Sequence, residues 1–266
     1  MLIGHIIIGL RIRVVVSTGS AAIPGTQYLI ADVGASRYPH PMARLARLVI
    51  PDVPHHVTQR GNRRQPVFFD EEDYAAYRSL VAAACAARGV RCLAWCLMPN
   101  HVHLILTPAD ADGLRAALAD AHRRYSRRIN FAHGWTGYLW QGRFASYAME
   151  DAHLLAAVRY VELNPVSARL SRQAEDWPWS SARAHLAGRD DGLTDLAALA
   201  GIHRNWRSML RRGLEAGDMP EEEVAAIETH IRTGRPRGSL SFVEELEART
   251  GRTLKRRKPG PKPKAP

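Results

Sequence analysis

The sequence predicts an α+β fold, in which helices flank a mainly antiparallel sheet. Between about residues 56 and 165, strand and helix patterns follow one another in the order strand, helix, strand, strand, helix, strand, helix. The two central strands are joined only by Pro99-Asn100, a turn short enough to connect antiparallel neighbours. Helices on either side of such a hairpin are typical of one sheet with helices packed against it.

Local signals place each element. Strands are expected at 56–58, 90–98, 102–106 and 143–149, and helices at about 70–88, 114–131 and 151–165. Acidic residues at 70–73 favour a helix start because they face the positive end of the helix dipole, and Gly89 marks that helix's end. Asp151 is expected to cap the last helix, which Asn164-Pro165 would end. Further helices are predicted at 178–187, 194–200, 203–216, 220–233 and 241–249.

Charge and composition divide the chain into four parts. The 266 residues carry a net charge of +11, yet residues 252–266 alone hold seven basic residues and no acidic ones, whereas 42–251 hold 27 basic and 25 acidic residues. The tail is expected to be disordered and to favour polyanions through counterion release, or simply to aid solubility. A folded domain is predicted at 42–187, followed by a helical C-terminal extension at 188–251.

Residues 1–41 are predicted to lie outside the fold. Arg11 and Arg13 interrupt their apolar start, so it lacks the roughly 20 apolar residues of a membrane-spanning helix. The positive charges follow the apolar run, whereas a signal peptide carries them before it. A new pattern opens at Met42, and 1–41 is therefore interpreted as a disordered extension or the product of an upstream start codon.

The motif PNHVHLIL at 99–106 carries the clearest chemical signal. Because residues i and i+2 of a strand point to the same face, His101 and His103 project together while Val102 faces the other side. Two imidazoles on one strand face can begin a divalent-metal site. Taken alone, such a pair is more often two ordinary histidines near a sheet surface. The earlier pair His55-His56 is expected to be structural or exposed.

A second set of candidates lies on the helix DAHLLAAVRYVELNP, where one stripe is formed by His153, Ala157, Tyr160 and Asn164. A tyrosine hydroxyl has a pKa near ~10 and is a poor nucleophile alone, so Tyr160 would need a metal to polarise a phosphate. Asn164 could supply a third ligand, and Mg²⁺ or Mn²⁺ tolerates two imidazoles with an amide oxygen. The alternative is a packed aromatic at 160 and a helix terminator at 164.

Other residues compete for these roles. Tyr125 is the best rival nucleophile, but the residue one turn after it is Ile129 rather than an amide. Tyr147 is placed on a strand, from which its reach to a metal is less direct. Cys92 and Cys96 are expected to share one strand face as buried thiols rather than zinc ligands.

PNHVHLIL followed by a helix with RYVELNP resembles the HUH single-strand DNA transposases with one catalytic tyrosine, and among them the REP-associated tyrosine transposases of bacteria. The segments MARLARLVIPDVPHHVTQRGN, LWQGRFASYAM, DWPWSSARAHLAG and TGRPRGSLSFVEELEARTGR are in the same style and order. The resemblance covers about 42–252. It implies that 42–187 is an HUH catalytic domain with a ferredoxin-like palm.

The resemblance also implies a chemistry. His101, His103 and Asn164 would bind Mg²⁺ or Mn²⁺, and the nucleophile, Tyr160, would attack a phosphodiester of single-stranded DNA. The attack would give a 5′-phosphotyrosine link and a free 3′-hydroxyl, and a second strand could reverse it. The implied substrates are short palindromic hairpins with a flanking guide sequence. The protein is expected in the bacterial cytoplasm, associated with the nucleoid and not with a membrane, as a monomer or homodimer.

Basic and aromatic side chains are the candidate DNA contacts. They are Arg60, Asn62, Arg63 and Arg64 after the first strand, Arg123, Arg124, Arg127 and Arg128 on the second helix, and Trp140 with Arg143. The last two are expected to stack and pair at a strand junction, although any single arginine is more often a solvated surface charge. The segment 234–238, GRPRG, resembles a minor-groove arginine clip or is a linker.

The function expected from these features is metal-dependent cleavage and strand transfer on hairpin-forming repetitive DNA. An HUH nickase that initiates plasmid or phage replication would use the same chemistry on another substrate. A domesticated DNA-binding protein that holds hairpins without cutting is the alternative from another class. The intact set of two histidines, one tyrosine and one asparagine argues against lost catalysis.

Overall fold

A computed structural model describes residues 47–200, 205–215 and 220–255 of the chain. The predictions made for 1–41 and for 256–266 of the tail lie outside these residues. Within the described ranges, no helix combines the length and the apolar character that crossing a membrane would require.

Within the part of the chain that the structure describes, four strands form one sheet, and neighbouring strands pair antiparallel. They are β1 (His55–Arg60), β2 (Val90–Met98), β3 (His101–Pro108) and β4 (Ala145–Ala148), in the spatial order β2-β3-β1-β4. Since β1 lies between β3 and β4, Thr58 pairs with His103 on one side and with Ala145 on the other. The predicted α+β class with a mainly antiparallel sheet is confirmed.

The described residues contain seven α-helices. They are α1 (Glu71–Ala87), α2 (Gly113–His133), α3 (Asp151–Ser167), α4 (Ala182–Ala187), α5 (Trp206–Glu215), α6 (Glu221–Thr233) and α7 (Leu240–Thr250). One face of the sheet packs against α1 and α2 in a core that includes Tyr77, Leu104 and Leu118. The other face packs against α3 and α5, with Ile105 and Val158 in the core. The boundaries predicted for the domain and its extension stay predictions.

Two helix ends and one helix differ from expectation. Asp151 is the first residue of α3 and does not cap it, and the helix continues through Pro165 to Ser167. A proline in the last turn loses only one backbone hydrogen bond, so it does not stop the helix there. No helix forms at 194–200, because Thr194 makes a parallel bridge with Cys92 and Asp195 donates its N–H to the Cys92 carbonyl.

A β-bulge corrects the prediction for the cysteines. The pairing of β2 with β3 shifts register between Cys92 and Ala94. Because a bulge adds one residue, the alternation of faces reverses beyond it. Cys92 therefore lies in the core below α1 and α2, whereas Cys96 lies in the core below α3. Both thiols are buried and free, as predicted, but they do not share a face.

A buried carboxylate ties α3 to the C-terminal part of the chain. Glu162 is fully buried, and its Oε1 accepts hydrogen bonds from Ser181 Oγ at 2.6 Å and from His185 Nδ1 at 2.5 Å. Its Oε2 accepts a hydrogen bond from Trp206 Nε1 at 2.6 Å. Three donors satisfy a group that burial would otherwise strongly disfavour.

Replacing this carboxylate by an apolar side chain should destabilise the protein severely. Glu162→Leu removes the acceptor for three buried donors, and we expect the free energy of unfolding to fall by about 3 kcal/mol or more. Urea denaturation measures this. Glu175→Ala is the matched control, because its pair with Arg207 is solvent-accessible and should contribute about 1 kcal/mol or less. Equal losses in the two variants would contradict the assigned role of Glu162.

His55 is a buried histidine with two contacts to the backbone. Its Nε2 accepts the Ile50 N–H at 3.2 Å, and its Nδ1 donates to the Val53 carbonyl oxygen at 2.7 Å. Burial lowers the pKa of His55 to about 4, and the hydrogen bond to Val53 opposes this only in part. The folded state therefore favours the neutral form of His55.

This histidine should make the fold sensitive to acid. Since its folded pKa lies below its unfolded value near ~6.5, its contribution is complete above that pH and is lost as the pH falls toward about 4. At pH 5 the loss should be about 2 kcal/mol. His55→Gln should flatten the decline in unfolding free energy by that amount, whereas exposed His133→Gln should not. Identical pH profiles for all three proteins would refute the assignment.

Candidate active site

A cavity of about 950 Å³ opens where β1, β3 and α3 meet. It collects seven of the residues that the sequence singled out: Arg60, Arg64, His101, His103, Arg143, Tyr160 and Asn164. The hairpin β2–β3 presents the two histidines, and α3 presents the tyrosine and the asparagine one turn apart. Asn62 and Arg63 line a neighbouring groove instead.

The histidines and the tyrosine are close together. The ring centroids of His101 and His103 lie 4.9 Å apart, and those of His103 and Tyr160 lie 5.6 Å apart. Val102 is buried on the opposite face, in the core with α1 and α2. Side chains therefore alternate along β3 as the sequence predicts, and α3 crosses the face of the sheet that carries both imidazoles.

Both imidazoles are neutral, with one nitrogen already engaged. His101 Nδ1 donates to Asn100 Oδ1 at 2.7 Å, which leaves its Nε2 unprotonated. His103 Nδ1 lies 3.0 Å from His56 Nε2. Burial lowers the pKa of His101 to about 4 and that of His103 well below its ordinary value. Neutral imidazole is the form that binds metals.

The sequence pattern did not predict that His56 contacts His103. This side chain is fully buried, contacts His103 through Nε2, and lies 3.3 Å from Tyr147 Oη through Nδ1. Burial lowers its pKa to about 3. The sheet register explains the contact, since His56 pairs with Ile105 and therefore shares a face with His103. Only the pairing of β1 with β3 could have revealed it.

The polar contacts continue beyond His56. Tyr147 is hydrogen-bonded to the Arg237 side chain, which in turn donates to Glu223 Oε1 at 2.6 Å. Tyr147 is fully buried and Arg237 is nearly so. A buried chain of polar groups therefore runs from His103 through β1 and β4 to the start of α6.

The hydroxyl of Tyr160 is kept protonated. Burial raises its pKa most, and the nearby Glu228 carboxylate raises it further. A hydrogen bond with the Asn164 side chain and the positive charge of Arg60 oppose the rise. Deprotonation of this phenol therefore requires additional positive charge in the cavity.

The rival tyrosines do not line the cavity. Tyr125 is buried in the core below α1 and donates to the Val67 carbonyl oxygen at 2.6 Å. Tyr147 lies behind His56, and burial raises its pKa above the ordinary value. Of the three tyrosines, Tyr160 is the one that lines the cavity with His101 and His103.

Apart from Arg63, the arginines predicted to contact DNA fall into two groups. Arg60, Arg64 and Arg143 line the cavity. The arginines of α2 lie on its exposed side, where Arg123 and Arg124 pair with Asp120 and Arg128 pairs with Asp73 and Glu72, while Arg127 is exposed. None of these four lines the cavity.

Burial bears on two further candidates for DNA contact. Trp140 is only 7% exposed and packs against the rings of Tyr77, His122 and Tyr125. Arg237, in the segment that resembles an arginine clip or is a linker, is 6% exposed and bound to Glu223. Both side chains help to hold the fold together.

Comparison with known proteins finds a likeness in the segment that carries the site. Residues 50–164 match the family described as "Transposase IS200 like". We refer to these residues as the IS200-like segment. The IS200-like segment extends from just before β1 to Asn164, and it therefore contains both histidines of the hairpin and Tyr160.

Two individual proteins are also similar to this chain in sequence. A REP-associated tyrosine transposase of Escherichia coli is 28% identical over 95 residues, or 35% of this chain and 55% of that protein. A protein of Haemophilus influenzae with a provisional name of the same kind is 27% identical over 116 residues, or 40% of this chain and 66% of its own length. The chain thus spans less than two thirds of either relative. The predicted resemblance is confirmed.

A solved structure is also similar to this chain. It is that of a REP-associated tyrosine transposase bound to a REP hairpin, with 25% sequence identity and a TM-score of 0.45. The match covers 58% of this chain and 90% of the other.

The IS200-like segment does not build the whole cavity. Part of its wall comes from α6, which lies beyond the family match and contributes Ala225, Glu228, Thr229, Ile231 and Arg232. Four arginines and one carboxylate therefore face the cavity, an excess of positive charge that suits a phosphate-bearing substrate.

Proposed function

We propose that this chain is a tyrosine transposase that cuts and rejoins single-stranded DNA beside hairpin-forming repeats. The observation that carries the proposal is that Tyr160 lies beside His103 in one arginine-lined cavity that also holds His101 and Asn164. The name of the E. coli relative supports the substrate class.

A divalent metal is part of the proposal, and the residues present fit one. Within the described ranges, no group of three or more His, Cys, Asp or Glu side chains is arranged to hold a metal. The proposed set is instead His101, His103 and the amide oxygen of Asn164. The free Nε2 of His101 and the low imidazole pKa values suit Mg²⁺ or Mn²⁺ coordination with open positions. A bound metal would polarise the scissile phosphate and stabilise developing negative charge.

The remaining chemistry is assigned to this chain's own side chains. Asn164 orients the Tyr160 hydroxyl through their hydrogen bond. The phenolic oxygen forms a bond to phosphorus while the bond to the 3′ oxygen breaks, the phenol proton passing to solvent and the 3′ oxygen taking up a proton. Arg60, Arg64 and Arg143 hold the DNA backbone. Phosphoryl transfer depends mainly on positioning and charge stabilisation, and these side chains are of the types that supply both.

Tyr160→Phe should abolish covalent attachment to DNA. Wild-type protein incubated with Mn²⁺ and a labelled DNA hairpin bearing a single-stranded flank is expected to give a protein–DNA adduct on a denaturing gel. The phenylalanine lacks the attacking oxygen, so at least a ~100-fold loss is expected. Tyr125→Phe is the control and should retain the adduct, because its hydroxyl only supports the core.

The same assay separates the alternatives. Joining of a second strand to the cut end supports a transposase, whereas cutting without joining favours a replication nickase. Tight binding by wild-type protein without any adduct would overturn the enzymatic proposal and leave a DNA-binding protein. An adduct formed by Tyr160→Phe would overturn the assignment of the nucleophile.

His56 should tune the affinity for metal through His103. The acceptor nitrogen of His56 would keep the proton of His103 on Nδ1, which leaves Nε2 for the metal. We expect His56→Phe to weaken Mn²⁺ binding roughly 10–100-fold, measured by electron paramagnetic resonance without DNA. His56→Gln, which retains an acceptor, should lose less. Equal affinities of wild-type and both variants, with unfolding curves in chelator confirming the fold, would refute this role.

A further inference from the structure

Exposed aromatic side chains gather at one place outside the cavity. Among the described residues, six large hydrophobic side chains are strongly exposed, and four of these are Phe69, Phe131, Trp135 and Tyr138. All four lie near the end of α2 or across from it. A solvated cluster of this kind is unusual on a soluble protein and marks a binding surface.

Three of these aromatic residues line a groove of about 530 Å³: Phe69, Trp135 and Tyr138. Trp135 stacks on His133, with ring centroids 4.5 Å apart and planes at 25°, and Phe69 lies edge-on to Trp135 at 5.6 Å. Trp135 remains 47% exposed and Tyr138 89% exposed. Neighbouring rings therefore hold Trp135 in place while part of it stays open to a planar ligand.

Basic and polar side chains also line the groove. Arg63 lines it with Asn62 and Gln65, and Arg63 is exposed. Arg63 and Arg64 adopt left-handed backbone conformations, with φ of 54° and 63°. Such conformations are costly for residues other than glycine and occur often at ligand-binding sites. The turn is held by the Asn62 N–H, which donates to the Leu139 carbonyl at 2.8 Å.

The groove adjoins the candidate active site through this turn. Arg64 lines the cavity that holds Tyr160, while its neighbour Arg63 lines the groove. A DNA strand with one phosphate beside Tyr160 can therefore continue past Arg64 and reach the aromatic wall. The positive charge of the turn complements the phosphates along that path.

We propose that this groove is a stacking site for unpaired bases next to the scissile phosphate, with Trp135 and Tyr138 as the platforms and Arg63 as a phosphate contact. The inference rests on the proposed function and adds a specific subsite to it. Aromatic rings and a guanidinium in one groove suit a base and its phosphate, whereas a groove for an apolar protein segment would not need the arginine or the polar side chains. Asn62 and Gln65 can meet the polar edges of a base.

Equilibrium binding by the full chain tests this site. The probes are a short synthetic DNA hairpin with a single-stranded thymidine extension on either side, the same hairpin with abasic extensions, and the hairpin without extension. Binding is followed by fluorescence anisotropy in chelator, so that cutting does not intervene. The thymidine extension is expected to strengthen binding by wild-type protein, because stacking is tolerant of sequence.

Trp135→Ala should lower affinity for the thymidine-extended hairpin roughly 5–100-fold and leave affinity for the hairpin without extension unchanged. Tyr138→Ala, at a side chain too exposed to support the fold, should act in the same direction. Phe131→Ala is the matched control, since Phe131 is 91% exposed but does not line the groove. Arg63→Ala should weaken binding of thymidine and abasic extensions alike and reduce the salt dependence by about one phosphate contact.

The outcomes separate this inference from the proposed function. If wild-type protein binds thymidine and abasic extensions equally, or if Trp135→Ala and Tyr138→Ala both match wild type, the stacking site is refuted while DNA cutting can still stand. If wild-type protein binds none of the probes and forms no adduct, the proposed function fails as well.

Discussion

The antiparallel pairing of β1 with β3 is the constraint on which the site depends. It aligns Thr58 with His103 and His56 with Ile105, so that three histidines gather on one face of the sheet. It also places the basic turn after β1 beside the start of β3, where Asn100 Nδ2 donates to the Arg64 carbonyl. A slip of β1 by one residue would turn His56 and Thr58 to the opposite face, toward the core below α1 and α2.

The site combines buried neutral imidazoles with a rim of permanent positive charge. Burial holds His56, His101 and His103 uncharged near neutral pH, whereas arginines contribute positive charge to the cavity. The imidazoles are thus suited to donate lone pairs, and the guanidinium groups are suited to hold phosphates. Neither group can take the other's role.

Local sequence patterns predicted the strands and helices, and also the pairs of site residues that lie on a single strand or helix. The alternation of β3 placed His101 beside His103, and helical spacing placed Tyr160 one turn from Asn164. These local patterns did not predict contacts between distant segments. The contact of His56 with His103 depends on the pairing of β1 with β3, and the cavity wall that contains Glu228 depends on how the C-terminal helices pack. The reversed faces of Cys92 and Cys96 follow from a bulge, and the burial of Trp140 from its neighbours, which composition does not encode.

The contacts of Arg237 bear on how the molecule divides into parts. Arg237 follows α6, yet its side chain holds Tyr147, which meets His56 and through it His103. A chain cut before α6 would keep every residue of the IS200-like segment and still lose the outermost support of its histidine pair, together with one wall of the cavity. The IS200-like segment is thus smaller than the part of the chain that lines the cavity.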